Sequence, residues 1–167
     1  LVLHITATVW LLALLARALR RHGLFAGAGA WHLVVSYTWI LLPVLVAPLI
    51  ILGVAGVPGA DIEATAPQAL VYGWMLQFLY AVVPYFAARW LLHDAPARLG
   101  GNWLSLMSVD LGSVLIWASI FLVELRSPIH AVAYVLLTVS LAAAAWETGA
   151  ITLAALRRAE TNAAQPA

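Results

Sequence analysis

Cysteine is absent from the 167-residue sequence, and so is lysine. The first absence excludes disulfides, thiolate zinc sites, cysteine nucleophiles and cysteine-ligated iron–sulfur clusters together. Any metal must then sit on His, carboxylate, Gln, Tyr or Met. Charge of either sign is scarce: eight arginines and seven acids make up 9% of the chain, against about 25% in an average soluble domain. A formal net charge of +1 provides no basic field of the kind that holds nucleic acid, which is set aside as a partner. What the chain has in abundance is apolar surface. Hydrophobic residues are 65% of the total and the mean hydropathy is +1.00, which excludes a water-soluble fold.

A hydrocarbon core about 30 Å thick is crossed by about 20 mostly apolar residues of helix. Five segments qualify, roughly 1–19, 31–54, 66–92, 103–123 and 129–156. Their apolar runs lack the period-2 alternation of a barrel strand, and backbone groups in lipid must be satisfied within the segment. The expected class is an all-α polytopic membrane helical bundle of about five transmembrane helices. Residues 1–16 run straight into Arg17, Arg20 and Arg21 and so read as a span rather than a signal peptide. The connections, among them the 55–65 loop with Pro58, Gly59, Asp61 and Glu63, are short and hold no second domain. One transmembrane domain over 1–159 and a polar cytoplasmic tail over 160–167 are expected.

Orientation follows from the arginines, because cytoplasmic loops carry the excess of positive charge. Arg17, Arg20, Arg21, Arg89, Arg98, Arg157 and Arg158 share one face if the helices alternate, and Arg126 lies on the other with Asp61, Glu63 and Glu124. The N-terminus is therefore expected outside and the C-terminus inside. By the same alternation His4 and His130 fall on the outer side, and His22, His32 and His93 on the cytoplasmic side. Two imidazoles near one depth on different helices are what a b-type haem or a copper ion needs. No two of the five histidines share a helical face at i, i+3 or i+4 spacing. Histidines near helix ends are also ordinary interfacial residues.

Two carboxylates, Asp110 and Glu147, lie inside apolar segments at what could be one depth. A charge there costs at least about 2.5 kcal/mol on insertion scales, so both should face the interior and be neutral or hydrogen-bonded. They read either as a proton-handling pair or as acids bonded to Ser105, Ser108, Ser113, Thr148 or a partner subunit. Pro43, Pro48 and Pro84 are expected to kink their helices. The eight tryptophans, including Trp31, Trp90 and Trp103 near span ends, read mainly as an interfacial belt. Ala142 to Ala145 and Gly149 offer a close-packing face to another helix.

The stretch Gln68, Ala69, Leu70, Val71, Tyr72, Gly73, Trp74, followed by Tyr80, Pro84, Phe86 and Arg89, resembles a helix of the haem-copper oxidase subunit I-like proteins, including the NnrS-type haem and copper membrane proteins. In those families a similar helix begins with His, carries Gly-Trp or Gly-Phe a turn or so later and ends in a Pro-x-Phe-like segment. Asp110, Leu111 and Gly112 are similar to their Asn-Leu-Gly. The resemblance covers about three quarters of the chain, and it implies a helical fold with any cofactor near the outer side. It also carries a departure. Gln68 stands where the family has its haem-ligand histidine, and Gln is not a usual axial ligand. His4 and His130 would have to take that role.

Two functions stay open on this reading. One is a subunit that anchors or scaffolds a larger respiratory or redox membrane complex, with no catalysis and no cofactor of its own. The other is a b-haem-bearing electron-transfer subunit with His4 and His130 as ligands. A small transporter would rest on Asp110, Glu147 and Gln77 alone, with no inverted repeat in support. The expected partners are other membrane subunits and lipid, in the inner (plasma) membrane of a prokaryote.

Overall fold

The computed structural model describes residues 2–21, 23, 27–93 and 98–164. Six α-helices follow one another among them: α1 (Val2–Arg21), α2 (Ala28–Ile51), α3 (Gly59–Leu70), α4 (Gln77–Leu91), α5 (Trp103–Ala118) and α6 (Arg126–Ala164). A π-helical turn (Val71–Leu76) joins α3 to α4 without a break, and a 3-10 turn (Val123–Leu125) leads into α6. No strand occurs among the described residues. Four helices are long and apolar enough to cross a membrane: α1, α2, the continuous Gly59–Leu91 and the Val123–Asn162 stretch.

The fourth expected segment is the one that falls short. The chain is apolar to Val123, yet α5 ends at Ala118. The N–H groups of Ile120, Phe121 and Leu122 turn back onto the carbonyls of Trp117 and Ala118, and Ser119 donates its hydroxyl to the Ile116 carbonyl. At 1.5 Å per residue the 16-residue α5 spans about 24 Å, less than a hydrocarbon core. The expected 55–65 loop is shorter than its composition suggests, because α3 begins at Gly59. The polar stretch from Glu160 continues α6 as far as Ala164, and residues 165–167 lie outside the described ones. Pro43, Pro48 and Pro84 stand inside helices that continue through them.

Helix α5 occupies the centre. It packs most extensively on α6 and also against α2, α3, α4 and the π-helical turn. Ala69, Tyr80, Val109, Ile116, Ala133 and Leu137 form the main core, and Ile62, Ala66 and Ile120 a second cluster toward the α2–α3 connection. Gly112 makes the close α5–α6 approach possible. A Cβ there would lie 3.0 Å from Leu137 Cγ and 3.1 Å from the Ala133 carbonyl, so a side chain would hold the helices apart. Helix α1 is peripheral, packing on α2 and burying only Thr8 and Leu19.

Candidate functional site

The interior of this apolar bundle is polar to an unusual degree: His32, Ser36, Gln77, Ser105, Ser113, Ser119 and Ser140 are all fully buried. Polar groups taken out of water are costly unless bonded. Their partners therefore define the sites.

Asp110 lies at the middle of α5 and binds two helices at once. Its Oδ1 accepts the indole N–H of Trp39 on α2 at 3.0 Å and the amide N–H of Gln77 on α4 at 2.7 Å. Gly73, within the π-helical turn, gives the Trp39 ring its seat. A Cβ on Gly73 would stand 2.4 Å from Trp39 Cδ2, so only glycine lets the indole lie flat against the backbone. Nearby, Tyr80 and Ser140 share a hydrogen bond of 3.1 Å between α4 and α6.

Glu147 sits at another level. Its Oε2 accepts the backbone N–H of Gly101 at 2.9 Å, just before α5 begins, whereas Asp110 is two turns further along that helix. The two acids do not share a depth. They hydrogen-bond to different groups, and among the described residues Ser105, Ser108, Ser113 and Thr148 bond to neither of them. Thr148 instead bonds the Ala144 carbonyl, and Ser105 belongs to the cap of α5. That cap is a reciprocal box, in which Asn102 Oδ1 accepts the Ser105 N–H at 2.8 Å and Ser105 Oγ accepts the Asn102 N–H at 3.1 Å.

The segment entering α5 is threaded among the helices. Gly100 donates its N–H to the Ala81 carbonyl at 2.9 Å, at the level where Pro84 disturbs the ladder of α4. A Cβ on Gly100 would lie 2.4 Å from the Pro84 ring, and one on Gly29 would lie 2.2 Å from the Gly100 carbonyl oxygen. Gly101 has φ +92° and faces the His32 ring, which a Cβ would meet at 2.4 Å. His32 Nε2 pairs with Ser105 Oγ at 2.9 Å, and the ring stands edge-on to Tyr80. Irregular backbone at this depth is tolerated because protein groups satisfy it.

At the opposite end of α5, Ser119 Oγ pairs with His130 Nε2 at 2.7 Å, and Arg126 forms an ion pair with Asp61 at 2.7 Å. Gln68, on the exposed side of α3, accepts the Tyr134 hydroxyl at 3.0 Å. The His130 ring lies 5.9 Å from that same tyrosine. The structure thus brings Gln68 and His130 to a common neighbour. It does not bring His4 to them: His4 is exposed on α1, whose packing is on α2. His93 is exposed beyond α4, and His22 lies outside the described residues. Among the described residues no three His, Cys, Asp or Glu side chains gather as a metal-binding group.

Several of these partnerships escaped sequence reading. Trp90 and Trp103 are largely exposed near helix ends, as a belt requires, but Trp39 is an interior donor. The cap at Asn102 was legible in principle, since Asn after Gly-Gly and directly before an apolar run is a helix-start signal. The His32–Ser105 and Tyr80–Ser140 pairs join residues 73 and 60 positions apart and left no local signal. Comparison with known protein families, characterised proteins and solved structures finds no match to this chain.

Proposed function

We propose that this chain is an integral membrane subunit that anchors or scaffolds a larger membrane assembly through its helix faces, with its N-terminus outside. One observation carries the reading. The bundle directs large apolar side chains outward along its length, and two of its helices offer faces that nothing among the described residues covers. Helix α1 leaves Leu3, Val9 and Trp10 exposed, and α6 does the same with Leu141, Trp146 and Leu156. Such surface belongs against lipid or other apolar helices. Beside it, a groove of about 680 Å³ between α4 and α6 is walled by Leu79, Val83, Ala145, Gly149 and Leu153. Small residues there permit close helix approach. The arginine distribution supports the orientation, and the resemblance to haem-copper oxidase-like proteins supports a respiratory or related redox setting in a prokaryotic plasma membrane.

A haem b-bearing role is the second reading, for which His130, beside Tyr134 and Gln68, is the ligand the bundle offers, while His4 is exposed on α1. Purification from native membranes in mild detergent separates the two. Stable co-purification of other membrane subunits, with no b-type α-band in the reduced-minus-oxidised spectrum, is the expected result. Recovery of the chain alone after cross-linking in the membrane would overturn the scaffold reading. An α-band lost in His130→Ala would put the haem reading in its place.

A further inference from the structure

We propose that the place where the end of α4 meets the last third of α6 is a binding site for one anionic phospholipid, with its phosphodiester held by Arg158. A cavity of about 400 Å³ there is walled by Leu91, Leu92, His93, Ala155, Arg158 and Asn162. Its polar groups are a guanidinium, an imidazole and an amide, and among the described residues none of these three side chains is engaged in a hydrogen bond or ion pair within the chain. A second cavity, of about 570 Å³, shares Leu92 with the first and is walled further by Pro84, Ala88, Ile151 and Ala154. Ile151 and Arg158 stand seven residues apart, two turns of α6, so the two cavities lie along one side of that helix. The level is that of a membrane surface. The apolar run of α6 stops at Leu156, before Arg157 and Arg158, while α4 carries Arg89 in its last turn and is followed within two residues by His93. Between them Trp90 is 72% exposed, and exposed indoles sit at headgroup depth. Basic pockets between membrane helices at such a level hold anionic headgroups.

Charge decides which phospholipid fits. A guanidinium stays protonated at any working pH and pairs its N–H groups with two phosphate oxygens, so Arg158 needs no neighbour to set its charge. Among the described residues no acid lines the first cavity. A zwitterionic headgroup would bring an ammonium that finds no carboxylate there, whereas a glycerol headgroup would bring hydroxyls that His93 and Asn162 can bond. The second cavity is different. Arg98 and Glu147 both reach it, one of each sign when ionised, and Glu147 Oε2 already accepts the Gly101 N–H. The phosphate therefore belongs in the first cavity, and the apolar walls of the second take an acyl chain. A phospholipid with a single negative charge and an uncharged headgroup, as in phosphatidylglycerol, matches both.

The site rests on the chain crossing a bilayer, and on neither the scaffold reading nor the orientation. The test is thermal unfolding of the full chain in neutral detergent micelles doped with phosphatidylglycerol, with phosphatidylethanolamine, or with inorganic phosphate in place of lipid, at one ionic strength. A saturable rise in Tm with phosphatidylglycerol that the other two do not give is expected, because a ligand of the native state stabilises it by mass action. Arg158→Gln should raise the half-saturating fraction of phosphatidylglycerol about tenfold. Arg157→Gln removes the same charge from a residue that lines neither cavity and should leave it unchanged. Equal rises with the two lipids overturn the proposal, as does an equal loss in the two arginine variants, which would make the attraction a diffuse one of the basic surface. A rise with inorganic phosphate as large as that with phosphatidylglycerol makes the cavity a free-anion site and equally overturns it. If Arg158→Gln does not accumulate, the wild-type comparison and Asn162→Leu, expected to weaken the rise from the same wall, decide. Release of the chain from membranes by alkaline carbonate would remove the bilayer and the proposal together, whereas an integral chain indifferent to phosphatidylglycerol overturns the site alone.

Discussion

The backbone N–H of Gly101 donates to Oε2 of Glu147 at 2.9 Å, tying the segment that enters α5 to the middle of α6. The bond gives Glu147 a structural role, because it accepts a backbone donor that irregular chain would otherwise leave unpaired at depth. Glu147→Gln keeps an acceptor oxygen and is expected to unfold close to the wild type. Glu147→Leu strands the N–H and should cost about 1–3 kcal/mol, read as a lower Tm in micelles. Equal stability of the Leu variant would show that the bond contributes nothing.

Two glycines provide a paired comparison. Gly101 combines a left-handed φ of +92° with the His32 ring at 2.4 Å from a built Cβ. Gly101→Ala must therefore displace either the backbone or the histidine, and a loss of more than about 1 kcal/mol or failure to accumulate in the membrane is expected. Gly149 lies within α6 and has open space around its Cβ position. Gly149→Ala should be neutral or gain up to about 1 kcal/mol from helix propensity. If both variants behave alike, the His32 ring does not constrain Gly101.

The Arg126–Asp61 pair joins the start of α6 to the first turn of α3 with side chains 32% and 41% exposed. At that exposure solvent screens the attraction, and Asp61→Asn is expected to cost no more than about 1 kcal/mol. Asp61→Arg should destabilise further, and the exchanged pair Asp61→Arg with Arg126→Asp should recover most of the loss. Thermal unfolding at low and high salt checks both the size and the screening, and an exchanged pair no better than Asp61→Arg alone would count against a specific contact.

The absence of cysteine makes topology directly testable, because any introduced thiol is unique. Ala55→Cys in the α2–α3 connection is expected to react with a membrane-impermeant maleimide on intact cells, and Asn162→Cys only after permeabilisation. The reverse pattern would invert the orientation that follows from the arginines, and with it the assignment of His130 to the outer side.

Element type was legible in the sequence because the long apolar runs admit only helices. Element ends were less so. The apolar stretch through Phe121 and Leu122 hides the turn that ends α5, since hydropathy registers burial and not the backbone bonds of Ile120 to Leu122 onto Trp117 and Ala118. Asp110 and Glu147, both half-buried in the structure, were legible as acids within apolar helices for the simple reason that charge is conspicuous in such company. Their separation was not, because depth along a helix depends on where that helix starts, and α5 starts well inside the bundle at Asn102.

Composition and the length of the apolar runs determined that this chain is helical, rich in apolar surface and without thiol chemistry, because those properties are read along the sequence and require no knowledge of tertiary neighbours. Only the tertiary structure decided what the polar residues do. Trp39 and Gln77 became donors to Asp110, and Gly29, Gly100 and Gly101 became the gaps through which the chain enters α5. Each of these outcomes is a short-range contact between residues distant in sequence. Hydrogen bonds of about 3 Å and van der Waals limits depend on the exact approach of helices, which residue order constrains but does not display.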